Sequence, residues 1–130
     1  MPRFSIANPK RHSIPRVPFL AIKEKVLGKP YELSVVFVDS KTIRRLNTTY
    51  RKIDSATDIL SFSLSKKSGE LYVAMSEVRK KARLFGKKTD EYLPYLFIHG
   101  LLHLKGFDHG RTMDSLERTY CRTFDVPPVG

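Results

Sequence analysis

Asp90-Glu-Tyr-Leu-Pro94-Tyr-Leu-Phe-Ile-His99-Gly-Leu-Leu-His103-Leu-Lys-Gly106-Phe-Asp-His109 is the stretch on which the fold turns. From Asp90 to Leu104 apolar residues surround the helical wheel instead of striping one side, which predicts a helix buried on every face. With Asp90 as the expected N-cap, Pro94 falls in or near the first turn, where a missing N–H costs least. Gly106 supplies the stop. Such a helix needs layers packed around it.

The flanking sequence supplies those layers. Upstream, residues 3–7 alternate as a short strand, and a proline-punctuated stretch runs to Pro18. A helix carrying Phe19, Leu20, Ile22, Val26 and Leu27 follows and stops at Gly28-Lys29-Pro30. Residues 31–38 are β-branched and aromatic, hence a strand. Asp39 caps a helix through about Tyr50, with Ile43 and Leu46 inward, and Arg51 to Asp58 reads as a polar connector. Residues 59–64 alternate as a strand, 66–69 turn, and 71–75 return as its hairpin partner. Ser76 is the expected cap of a basic helix ending near Gly86, and a last amphipathic helix spans roughly 112–124. The order β-α-β-α-β-β-α-α-α predicts an α+β fold: a small mixed four-stranded sheet packed with about five helices, forming one domain over 1–130.

Charge narrows the partner class. The chain has 24 Lys and Arg against 13 Asp and Glu, a formal net charge of +11, and this excess favours polyanions. The basic residues are clustered at Lys10–Arg11, Lys23 to Lys29, Arg44–Arg45, Arg51–Lys52, Arg79 to Arg83 and Lys87–Lys88. RNA or DNA is thus favoured over a merely soluble cationic protein. No apolar run approaches the length of a membrane span, and Pro2, Pro9, Pro15 and Pro18 do not suit an amphipathic targeting helix. The single cysteine, Cys121, cannot form an internal disulfide, which fits a reducing cytoplasm, and as a lone thiol it reads as packing.

Three of the four histidines fall within eleven residues. His99 and His103 lie one helical turn apart on the same face, and the left-handed turn available to Gly106 can bring His109 back to the same ion. Three imidazoles with a fourth position open describe a catalytic zinc site. Nickel, copper and cobalt share these ligand preferences. The competing reading, core histidines satisfied by carbonyls, does not explain why three cluster at ligand spacing, two of them on a buried helix. Asp108 reads equally as a carboxylate orienting a ligand or as a turn cap. The spacing His-x3-His-x2-Gly-x2-His is also that of metzincin proteases. Those place a glutamate general base directly after the first histidine, where this chain has Gly100, which cannot carry a proton. A glycine in mid-helix points instead to close packing or close substrate approach.

His99-Gly-Leu-Leu-His103-Leu-Lys-Gly106-Phe-Asp-His109 closely resembles the histidine signature of the YbeY family, metal-dependent bacterial endoribonucleases and ribosomal-RNA maturation factors. Asn47-Thr-Thr-Tyr-Arg51-Lys-Ile-Asp54-Ser-Ala-Thr57-Asp58-Ile-Leu-Ser61-Phe62 is similar to a second block of that family. Gly69-Glu-Leu-Tyr-Val-Ala-Met-Ser76 resembles a third, with Glu70 where aspartate is usual. The resemblance covers about residues 33–109. Pro94 and Lys105 depart from it, and both ends of the chain match only in character.

The resemblance implies one zinc ion on His99, His103 and His109, a functionally required arginine at Arg51, and RNA-binding or site-shaping roles for Thr57, Asp58 and Ser61. It implies a single-strand-preferring endoribonuclease acting in ribosomal-RNA maturation, especially at the small-subunit 3′ end, and in ribosome quality control. The partners would be RNA and the small ribosomal subunit. From the residues alone Arg51 reads equally as a surface charge; a guanidinium is nonetheless well suited to phosphate oxygens. Gly100 leaves no obvious general base, and the attacking group is either metal-activated water, alone or with Asp108, or a ribose 2′-hydroxyl. The rival classes are a metalloprotease-like hydrolase and a non-catalytic assembly factor with structural zinc.

Overall fold

A computed structural model of the chain describes residues 3–127 and 129, so Pro2 of the targeting argument lies outside it. The strands are β1 (Phe4–Ala7), β2 (Glu32–Val38), β3 (Ile59–Ser65) and β4 (Ser68–Ala74). The helices are α1 (Phe19–Leu27), α2 (Ser40–Arg51), α3 (Met75–Leu84), α4 (Thr89–Leu104) and α5 (Arg111–Thr123). The four strands form one mixed sheet in the order β1-β2-β4-β3, with β1–β2 and β2–β4 parallel and the β3–β4 hairpin antiparallel. The architecture is α+β, and the order of elements is the predicted one.

Period-two alternation sorts the side chains between two layers. Leu33, Val35 and Phe37 of β2 and Leu71 and Val73 of β4 join the main core with Phe19, Ile22 and Val26 of α1 and Leu93, Phe97 and Leu101 of α4. Phe19 packs edge-on against both Phe37 and Phe97. Leu60 of β3 and Ala74 of β4 face the other way and meet Ile43 of α2, with Phe62 and Tyr72 at the margin. α4 is buried along its length, from Tyr92 to Leu104, and touches α1, α3, α5 and β3. No helix among the described residues is long and apolar enough to cross a membrane.

Several boundaries differ from expectation, each for a local reason. α2 continues through Arg51 because Lys52 adopts the left-handed conformation (φ 60°) and returns its N–H to the Asn47 carbonyl. Arg51 is therefore the last helical residue and not the start of a connector. β4 begins at Ser68, so the hairpin turn is shorter than 66–69. Ser76 is not a cap: β4 runs directly into α3, Ala74 holds the N-cap position, and no side chain caps it. Asp90 is not a cap either, since Lys88 occupies that position and donates its N–H to the Glu91 carboxylate at 2.9 Å. Pro94 consequently sits in the second turn of α4, deeper than expected, where it cannot donate to the Asp90 carbonyl. Asp39 does cap α2, accepting from Thr42 N–H at 2.8 Å.

Gly100 owes its place to packing. A Cβ there would lie 2.7 Å from Ile59 Cδ1, 3.2 Å from Leu71 Cδ2 and 3.4 Å from Ser61 Oγ, so the α4 backbone rests directly on β3 and β4. Ser61 Oγ–H donates to the Gly100 carbonyl at 3.1 Å across that contact. A glutamate at this position would push a carboxylate against the apolar side chains of Ile59 and Leu71. Gly100→Glu is expected to destabilise the fold by at least about 3 kcal/mol in urea denaturation, as overpacking and an uncompensated buried charge require. A variant of wild-type stability would show that the contact yields.

Candidate metal centre

α4 holds His99 and His103 one turn apart with their Nε2 atoms 3.1 Å from each other. After Leu104 the chain reverses at Gly106, whose φ of 104° favours glycine, and Phe107–Asp108 returns His109 to the pair. The His109 ring centroid lies 5.2 Å from that of His99 and 5.0 Å from that of His103, and one nitrogen of each ring falls within 4.8 Å of the others. His99 and His103 are half-buried and His109 is exposed.

The donor set fits a metal. His99 Nδ1–H donates to Glu117 Oε1 at 2.5 Å, and His103 Nδ1–H donates to the Phe107 carbonyl at 2.9 Å. With both Nδ1 protons so engaged, each Nε2 presents a bare lone pair to the other. Two such nitrogens this close must share a proton or a metal ion, and imidazole nitrogens on one tetrahedral zinc stand about 3.3 Å apart for bonds of about 2.0–2.1 Å. Burial first, and the neighbouring His99 second, hold His103 below the usual histidine range, which keeps the ring neutral and competent as a ligand.

Glu117 belongs to this centre, and the sequence reading passed over it in favour of Asp108. It lies on α5 and is 8% exposed. Burial and the adjacent Glu117 charge push the Tyr95 phenol up to about 12. The available signal was the stripe Met113-x3-Glu117-x3-Cys121, an acid at helical spacing between residues that α5 buries. Asp108 is exposed on the rim of the cleft and makes no hydrogen bond to a triad ring. Burial pushes the Cys121 thiol up to about 11, so at neutral pH it is a packing group.

The triad opens into a cleft of about 850 Å³ that is also lined by Arg51, Thr57, Asp58, Ser61 and Asp108, so the residues given candidate site roles from the sequence border one space. Arg51 Nη2 donates to the Ser61 carbonyl at 2.5 Å, and its guanidinium lies 4.9 Å from the centroid of the Phe62 ring. Ser61 of β3 thus holds the arginine through its carbonyl and α4 through its Oγ. Asp58 is buried and accepts from Tyr92 O–H at 2.8 Å, while Thr57 Oγ–H donates to Asp58 Oδ1 at 3.4 Å. Asn47, a buried residue of the cleft wall, donates to the Ser55 carbonyl and fixes the loop after α2.

Two expectations follow. Glu117→Ala removes the acceptor that orients His99, so metal affinity in a competition titration should fall about 10- to 100-fold with the fold intact. His103 should also make the metal-free protein acid-sensitive. Its folded value is depressed, so its contribution to stability is present above the unfolded value of 6.5 and fades as the unfolded chain takes up a proton below it. Urea denaturation of metal-free wild type between pH 7.5 and pH 5.5 should therefore show a loss that His103→Ala diminishes.

Comparison with known proteins identifies the family. The family model described as endoribonuclease YbeY matches residues 10–123. Among curated relatives, an endoribonuclease YbeY of Campylobacter jejuni is 36% identical over 117 residues, covering 84% of this chain and 87% of its own. That of Endomicrobium trichonymphae is 38% identical over 108 residues, covering 76% and 72%. That of Limosilactobacillus reuteri is 33% identical over 113 residues, covering 72% and 71%. A solution structure of a Thermotoga maritima protein superposes with a TM-score of 0.59 at 26% identity, covering 89% of this chain and 86% of the other. With the family model spanning nearly all of the described fold and relatives matching over most of their length, the chain belongs to the YbeY family of endoribonucleases.

Proposed function

We propose that this chain is a zinc-dependent, single-strand-preferring endoribonuclease that matures ribosomal RNA in the cytoplasm, acting near the 3′ end of the small-subunit RNA and in ribosome quality control. The observation that carries this reading is the placement of Arg51 and the three histidines on the walls of one cleft in a chain of net charge +11. His99, His103 and His109 would hold one zinc ion, which when bound supplies Lewis-acid polarisation of a phosphate oxygen or of water.

The chain's own residues do the rest. Glu117 and the Phe107 carbonyl hold the two helical imidazoles in the tautomer that directs Nε2 inward. Arg51 meets a non-bridging phosphate oxygen. Its guanidinium has five N–H groups, its orientation is fixed by Ser61 and Phe62, and charge accumulating on the phosphoryl oxygens is stabilised without reorganisation at the moment of reaction. Asp108, exposed on the rim, is a candidate to carry a proton in or out. Peptide hydrolysis is disfavoured because Gly100 has no base to offer and its Cβ direction is filled by β3 and β4.

The test uses purified protein, single-stranded ribosomal-RNA fragments and two variants. His103→Ala should remain folded, lose metal and lose cleavage. Arg51→Lys should retain metal but lower kcat about 10- to 1000-fold, since a point charge replaces a fixed fork at the charge-bearing oxygens. Full cleavage by His103→Ala would refute the role given to the metal. Wild type that binds small subunits but cuts no RNA would favour a non-catalytic assembly factor.

A further inference from the structure

The cleft has a second wall that this chemistry leaves unused. α3 passes at its C-terminus into Phe85, whose N–H closes on the Lys81 carbonyl at 3.1 Å, and Gly86 (φ 66°) then turns the chain. Lys81 and Phe85 are one helical turn apart, and both line the cleft that holds the triad. The Phe85 ring stacks on Tyr92 with centroids 5.8 Å apart and 26° between planes. Tyr92 neighbours Tyr95 at 6.0 Å, and Tyr95 neighbours His99 at 6.1 Å. A run of aromatic rings therefore leads along the cleft from a triad histidine and ends at Phe85.

The end of that run is open. Tyr92 is 3% exposed and tied to Asp58, whereas Phe85 is 48% exposed with only one face against Tyr92. Lys81 makes no ion pair among the described residues. A solvated aromatic face beside an unpaired ammonium, continuous with a cleft built for phosphoryl chemistry, matches the two halves of a nucleotide: a flat base and an anionic phosphate. Resting on the nuclease reading above, we propose that Phe85 is a nucleobase-stacking subsite, on which one unpaired base of the RNA strand extends the aromatic run while Lys81 meets a phosphate of the same strand. In a duplex both faces of a base are already covered by its neighbours, so this subsite selects single strands and tolerates any base.

The chain has no tryptophan, so Phe85→Trp introduces its sole indole and preserves a stacking surface. Its emission is expected to be quenched by a short single strand with 2′-O-methyl riboses, which resists attack by the 2′-oxygen. A duplex of equal length and an abasic strand should leave it unchanged. Phe85→Ala should bind the methylated strand about 5- to 150-fold more weakly, the range expected for one lost base stack. KM for single-stranded RNA should rise by a similar factor, with kcat and metal content retained. Leu84→Ala, at a neighbour that is 78% exposed but off the cleft, should change none of these.

If Phe85→Ala binds as wild type and the indole ignores the single strand, the subsite is overturned, while cleavage by wild type would leave the nuclease reading standing. Equal quenching by the abasic strand would also overturn it, since charge alone would then account for binding. Base-dependent quenching in a protein that cuts no RNA would keep the subsite and overturn the nuclease. Should Phe85→Ala fail to fold, the quenching by single, double and abasic strands decides alone.

Discussion

The contact between the α4 backbone and β3 at Gly100 is the constraint from which the site follows. Because position 100 carries no side chain, the helix lies against Ile59, Ser61 and Leu71, and Ser61 ties to its carbonyl. The same strand that touches the helix here accepts Arg51 at the Ser61 carbonyl and supports its guanidinium with the Phe62 ring. Arginine and histidines, distant in sequence, are thus brought to one cleft by two bonds to a single residue of β3. Any displacement of the helix from the strand would separate the cationic group from the ligands.

The elements were legible in the sequence where their physics is local. α4 declares itself because it is apolar on all sides, and the β3–β4 hairpin because its alternation is regular. Ends were harder. Asp90 and Ser76 have cap chemistry, yet at the first site a bond from Lys88 N–H to Glu91 competes successfully, and at the second the strand enters the helix without a cap. Arg51 was legible as a residue but not as the last helical position, which depends on a left-handed lysine at 52. The three histidines could be grouped from spacing alone because two share a helix face and the third follows a turn. Glu117 could not be assigned to them without knowing that α5 packs beside α4, although its position on a buried stripe marked it as unusual.

Most of the molecule's charge lies on an open basic surface. The ion pairs of Lys10 with Asp39, Arg44 with Asp54 and Lys80 with Glu77 lie at or near the surface, where such pairs contribute about 0–1 kcal/mol each. They leave most of the 24 basic side chains free to face a polyanion. Counterion release by those residues supplies attraction without sequence preference, and the stacked rings and guanidinium of the cleft supply position.

The ligand set is unevenly anchored. His99 and His103 belong to a helix that is buried along its length, so they move only when the core moves. His109 is exposed on a turn governed by Gly106 and is held by no helix. Segments of these two kinds open on different timescales, because a surface turn needs far less free energy to rearrange than a central helix. An ion held by the three histidines would therefore be released through excursions of the loop ligand His109, without unfolding of the helix that carries the other two.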